Sequence, residues 1–180
     1  YEVADFPVGT RAEPHELPTE NLAKIVARII DIEGPIHQEE VARRIATLFG
    51  KQRAGSRMTR AVSAALRHLW SRTDTYRNTG PFWMTTSQTT NPPTRNRSEA
   101  PLSVRKAEMI PPAEIEAIAL DVLRHNGAIT RNELPRAIAL AVGFQRTGPE
   151  FSTAVLPVID AMIDRAILVE DAVGMISSNA

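Results

Sequence analysis

Apolar residues Leu22, Ile25, Val26, Ile29 and Ile30 fall at the i, i+3, i+4, i+7, i+8 spacing of a helix with one buried face. The spacing predicts a first helix entered after Pro18-Thr19 and stopped at Gly34-Pro35. A short extended step, Pro35-Ile36-His37, leads to a second helix that carries Val41, Ile45 and Leu48 and ends at Gly50. A third helix runs from about Ser56 to Trp70, with Met58, Val62, Ala65, Leu66 and Leu69 turned inward. Two short runs, Thr75-Tyr76-Arg77 and Phe82-Trp83-Met84, then flank the turn Asn78-Thr79-Gly80-Pro81 and predict a hairpin.

The same pattern recurs further along. Ile115, Ile118, Val122 and Leu123 mark a helix entered after Pro111-Pro112 and stopped at Gly127. Ala128-Ile129-Thr130 is the extended step, and Leu134, Ile138 and Ala141 mark the next helix, ended by Gly143. Thr130 with Glu133 predicts a capping box, and Pro135 must lie in a first turn because a helix interior tolerates it poorly. Phe151, Val155, Val158, Ile159 and Met162 form a third face, and Ile167-Leu168-Val169-Glu170 with Met175-Ile176-Ser177 a second hairpin. Residues 34–70 align with 127–163 without a gap at a constant offset of 93, with Gly34/Gly127, Glu40/Glu133, Arg43/Arg136, Ile45/Ile138, Ala46/Ala139 and Gly50/Gly143 among the identities. Apolar residues and glycines dominate those identities, so the repeat reports a shared backbone. The matched Gln52-Arg53-Ala54-Gly55 and Gln145-Arg146-Thr147-Gly148 are read as turn and cap chemistry.

Helix, short strand, helix, helix, hairpin is the order of a winged helix-turn-helix. The expected fold class is therefore mainly α with small β-wings, as tandem winged helix-turn-helix repeats. The expected divisions are an N-terminal extension (1–19), copy one (20–85), a linker rich in Ser, Thr, Asn and Pro (86–112), and copy two (113–180).

Charge separates the copies. Copy one has 11 basic and 6 acidic residues (net +5), whereas copy two has 5 and 9 (net −4), inside a chain of zero net charge. The outward face of the third helix in copy one is Arg57, Arg60, Ala64 and Arg67, preceded by Lys51 and Arg53; Arg77 lies in the following hairpin. Aligned positions in copy two are Glu150, Thr153, Pro157 and Asp160, which would repel a phosphate backbone. Because the third helix of such modules is the usual reader of the major groove, DNA contact is expected on copy one, through Lys51, Arg53, Arg57, Arg60, Arg67 and Arg77. The competing reading of the stripe is a solvated face, or one that pairs with the acidic copy.

Signals for catalysis are poor. His37-Gln38-Glu39-Glu40 lacks the helical HExxH spacing of a zinc site, and His37 aligns with Thr130, an expected cap. His15 and His125 stand alone, and His68 aligns with Ala161. Asp31 and Glu33 lack the further lysine and carboxylate of a nuclease core, Phe49-Gly50-Lys51 is not a phosphate loop, and Ser103-Val104-Arg105-Lys106 lacks its companion motifs. The chain has no cysteine, no apolar run near the roughly 20 residues that span a bilayer, and no secretory signal. Neither an enzyme activity nor a cofactor nor membrane insertion is expected, and a cytoplasmic location is. From the polar, proline-bearing opening at Tyr1 the chain is expected to be part of a longer polypeptide.

Residues Glu20 to Leu69, and above all Glu33-Gly34-Pro35-Ile36-His37, Arg43-Arg44-Ile45 and Arg53-Ala54-Gly55, resemble an uncharacterised bacterial domain family at the C-terminal end of large superfamily I DNA helicase-like proteins. The second copy, with Val142-Gly143-Phe144-Gln145-Arg146-Thr147-Gly148, looks like the extreme C-terminal portion of the same proteins. The resemblance implies a non-catalytic accessory module, preceded in its parent by helicase motor and restriction-endonuclease-like segments, and brings no catalytic residues with it. Expected partners are duplex or branched DNA and those upstream domains. The alternative is a protein-interaction or dimerisation module, with a homo-oligomer as one outcome.

Overall fold

The computed structural model describes residues 1–145 and 148–179 and is mainly helical, with two small antiparallel sheets. It divides into two compact units: Glu2–Asn91, and a second that runs from Pro92 to the C-terminal end and takes in Tyr1.

The first unit opens its repeat with α1 (Thr19–Glu33), β1 (Ile36–His37), α2 (Gln38–Leu48) and α3 (Ser56–Arg72). The hairpin β2 (Tyr76–Thr79) and β3 (Phe82–Thr85) follows, then a short α4 (Thr86–Thr90). In the sheet β3 is central: Ile36 pairs with Trp83 on one side and Thr79 with Phe82 on the other. Val26, Ile29 and Ile30 of α1, Val41 and Ile45 of α2, and Val62, Ala65 and Leu66 of α3 are fully buried together, as their helical spacing requires. With Met58, Val62, Ala65, Leu66 and Leu69 committed to the core, Arg57, Arg60 and Arg67 of α3 are forced outward.

The second unit repeats the order with α5 (Pro112–Asn126), β4 (Ile129–Thr130), α6 (Leu134–Val142), α7 (Pro149–Asp164), β5 (Leu168–Glu170) and β6 (Met175–Ser178). Its sheet places β6 between β4 and β5, and its core gathers Ile115, Ile118, Leu134, Ile138, Val155, Ile159 and Met162. Gly143 ends α6 at φ +94°, where a Cβ would fall 2.5 Å from Asn96 Oδ1. Both the left-handed backbone and the close approach demand glycine here.

Several expectations are corrected. The segment 86–112 is not a bare linker: α4 belongs to the first unit, and 92–111 packs into the second, burying Ala100, Val104, Met109 and Ile110. The buried Arg97 guanidinium clasps Glu114 with two bonds, Nη1 to Oε1 (2.7 Å) and Nη2 to Oε2 (2.6 Å), and the Arg97 N–H donates to the Val142 carbonyl. The segment is held by side-chain anchors rather than by a repeating face, so it has no period to read. The N-terminal extension is likewise packed: Ala4 and Phe6 join the first core, and the Ala4 N–H donates to buried Glu33.

The capping box expected at Thr130 and Glu133 does not form. Thr130 Oγ1 donates to the Glu133 carboxylate (2.6 Å), while α6 starts only at Leu134, with Pro135 in its first turn and no side-chain cap. Lacking an N–H and a free φ, Pro135 is accommodated by that late start, and residues 131–133 remain a turn. The paired identities also part company here. Glu40 is buried and accepts from Arg44 and Arg43, whereas Glu133 is exposed.

Glu33, Glu40 and Arg44 form a buried ionic cluster, with both Nε and Nη2 of Arg44 on the Glu33 carboxylate. Removing one member of such a set leaves an uncompensated charge at a cost of about 3–5 kcal/mol.

Candidate nucleic-acid interface

Gly55 is the N-cap of α3, in extended conformation, and it offers no side-chain cap to the first turn. No acidic residue stands in that turn to balance the positive end of the helix dipole; Arg57 stands there instead. Over its whole length α3 carries four arginines (Arg57, Arg60, Arg67 and Arg72) and no carboxylate. Arg60 and Arg67, seven residues apart, lie almost above one another, with Arg57 one turn earlier. All three are exposed.

Most other cations of this unit are engaged. Lys24 pairs with Glu20 (3.2 Å), Arg43 with Glu39 and Glu40, Arg44 with Glu33, Lys51 with Glu13 (2.6 Å), and Arg77 with Asp74 (2.9 Å). Arg28 lies over the Phe6 ring at 3.8 Å. Among the described residues, Arg53, Arg57, Arg60 and Arg67 make no ion pair. Exposed arginines held away from carboxylates keep their full hydrated charge and all their donors for an incoming anion.

Of the six expected contact residues, Lys51, Arg53 and Arg57 come together around a cavity of about 390 Å³ at the first turn of α3. Arg60 and Arg67 extend the charge along the helix. Arg77 is apart from these: it lies on β2, half-buried, and its guanidinium donates to Asp74 and to the Tyr76 carbonyl (3.0 Å). Glu13 and His15 line the same cavity, although His15 reads as isolated in sequence. No local signal could have found them, because the N-terminal stretch reaches Lys51 only through the fold.

The second unit turns the chemistry around. Gly148 is again an uncapped N-cap, but α7 opens with Pro149 and Glu150 and holds three acids (Glu150, Asp160 and Asp164) with no basic residue. Its outward Glu150, Thr153, Pro157 and Asp160 are all exposed. Arg131 bridges Asp160 and Glu170; burial disfavours its charge, but the two carboxylates outweigh that and raise its pKa. A larger cavity of about 710 Å³ beside the first turn of α7 mixes Arg105 and Lys106 with Glu108 and Glu150 and so offers no field of one sign. The turn and cap chemistry expected at Gln145–Gly148 falls in part on Arg146 and Thr147, which lie outside the described residues.

Two of the residues weighed for catalysis make structural contacts. His37 caps α2, its Nδ1 accepting from the Glu39 N–H (3.2 Å), and meets Phe82 edge-on. Asp31 accepts from the Tyr76 hydroxyl (3.0 Å). Among the described residues no group of three or more His, Asp or Glu is placed to hold a metal ion, and no helix is long and apolar enough to cross a membrane.

Comparison with known proteins adds one finding. No curated protein and no solved structure matches the chain. Residues 12–60 match the family described as "Protein of unknown function (DUF3320)". The matched stretch closes inside α3, so it takes in Glu13, Lys51, Arg53, Arg57 and Arg60 and stops short of Arg67 and Arg77; over that stretch the chain is similar to a domain of unknown function.

Proposed function

We propose that the two units are tandem winged helices and that the first is a non-catalytic DNA-binding module. It docks α3 against the phosphate backbone and groove. The observation that carries the reading is the helix itself: four arginines, no carboxylate, an uncapped N-terminus, and Arg57, Arg60 and Arg67 unpaired among the described residues. Leaving an α3 of this composition without counter-charge costs self-repulsion, which phosphates would relieve. The element order and the central third strand in each sheet support the winged-helix assignment. The resemblance read in residues Glu20 to Leu69 is the ground for proposing that the module serves helicase and nuclease domains of a longer bacterial polypeptide, and a cytoplasmic location goes with that reading.

Fluorescence-anisotropy titration of the whole chain with duplex DNA at two salt concentrations tests the proposal. Three to four phosphate contacts predict a slope of about −3 to −4 in log K against log salt. Arg57→Glu with Arg60→Glu is expected to abolish binding at moderate salt while leaving the circular dichroism spectrum unchanged. Binding that survives the double reversal would remove the proposal.

A second reading assigns partner contact to the second unit, whose surface exposes Leu140 (60%) and Val173 (80%) beside an acidic α7. On this reading the module recruits protein or a second copy, and sedimentation velocity of the whole chain reports the self-association.

A further inference from the structure

Trp70 is 57% exposed in the last turns of α3. The other tryptophan, Trp83, is a buried member of β3. Trp70 follows Arg67 by three residues, so the ring continues the arginine flank by one turn. Its neighbours along the chain are polar or charged: Arg67 and Ser71 on the helix, and Thr73 and Asp74 just past its end, are all exposed. A protein partner is captured by a contiguous apolar patch, and among the described residues of the first unit the exposed large apolar side chains besides Trp70 come down to Val3 at 37%. A lone flat ring at the end of a cationic stripe instead suits a ligand that presents one π-face and a string of negative charge, and nucleotides present both.

From these observations we infer that Trp70 stacks on an unpaired nucleobase, so that the DNA preferred by the first unit is a duplex bordered by single strand. The inference rests on the reading of α3 as the DNA-contacting helix. Trp70 lies roughly 20 Å along the helix from Arg57, at 1.5 Å per residue. When the N-terminal half of α3 is seated on duplex, the ring projects beyond the contacted turn. In continuous duplex both faces of each base are covered by its neighbours, so the indole has a face to take only where pairing stops. The aligned residue of the second copy is Ile163, which cannot stack in this way.

The test compares two probes on the whole chain: a blunt duplex of several helical turns, most of whose sites lie away from its two ends, and the same duplex with a short single-stranded extension. Because the extension also adds phosphates, the decisive quantity is the effect of substitution rather than the wild-type ratio. Trp70→Ala is expected to weaken binding to the extended probe roughly 5- to 150-fold, the range for loss of one base–aromatic stack. Binding to blunt duplex should stay within about twofold, because the arginines that hold it are untouched. Trp70→Phe should retain most of the preference, and quenching of tryptophan fluorescence by the extended probe should vanish in Trp70→Ala.

Equal losses on both probes, or none on either, overturns the inference. So does a Trp70→Ala change confined to self-association in sedimentation, which would make the ring a protein contact. Blunt-duplex binding that depends on Arg57 and Arg60 without any role for Trp70 defeats the inference alone. Absence of binding to either probe at low salt defeats the underlying reading with it.

Discussion

Glu13 occupies the ammonium group of Lys51 at 2.6 Å, at the mouth of the cavity that Arg53 and Arg57 share. On the proposed reading a phosphate oxygen would take that place, so the N-terminal stretch would compete with the proposed ligand. Both partners are about 40% exposed, which keeps the pair weak. Glu13→Gln is therefore expected to tighten DNA binding by about two- to fivefold in anisotropy titration; an unchanged or weaker affinity would show that Glu13 does not compete. Tyr76 carries a different expectation. Burial, reinforced by its hydrogen bond to Asp31, pushes the phenol up to about 12. An unfolded tyrosine ionises near pH 10, so the folded state keeps a proton that the unfolded chain releases. The contribution is intact below about pH 10 and is lost as pH rises through 12, on the order of 2 kcal/mol in all. Urea unfolding at pH 9 and pH 12 should show this drop in the wild type, and Tyr76→Phe should lack that part of it.

At the scale of elements, the segment 92–111 decides between a linker and a folded part of the second unit. Arg97 is 2% exposed and bonded to Glu114 and Val142, so trypsin should spare the Arg97–Ser98 bond in the intact chain. Arg97→Ala should lower the melting temperature of that unit and speed cleavage at the neighbouring Arg95 and Arg105; mass mapping of timed digests reads both effects. Early cleavage after Arg97 in the wild type would restore the linker. The helices and hairpins were legible because each buries one face, and a buried face leaves a period in the chain. What stayed illegible has no period. Glu33, Glu40 and Arg44 look like ordinary surface charges until the fold closes over them, and the bonds of Arg97 to Glu114 and of Glu13 to Lys51 join residues far apart in sequence. The arginine flank of α3 was readable because its inward face was. Trp70 could have been placed on that flank by the same spacing, but its exposure could not.

Across the whole molecule, one backbone plan carries two opposite surfaces, and a net charge of zero describes neither unit. The contrast is sharpest where α3 and α7 begin. Both start from an uncapped glycine, yet α7 gains Glu150 in its first turn and α3 does not. Gly55 has an unstrained φ of −82° and nothing within 4 Å of where a Cβ would stand, so the fold would accept another residue there. Gly55→Asp should cap α3 and complement its dipole, raising stability by a few tenths up to about 1 kcal/mol. The same carboxylate would sit beside Lys51, Arg53 and Arg57 and, on the proposed reading, weaken DNA binding severalfold, so paired melting and anisotropy measurements should move in opposite directions. A substitution that improves both would mean that the open start of α3 has no part in binding. If they do oppose, selection for thermal robustness and selection for DNA affinity pull this single position apart, and the bare glycine marks the side that prevailed.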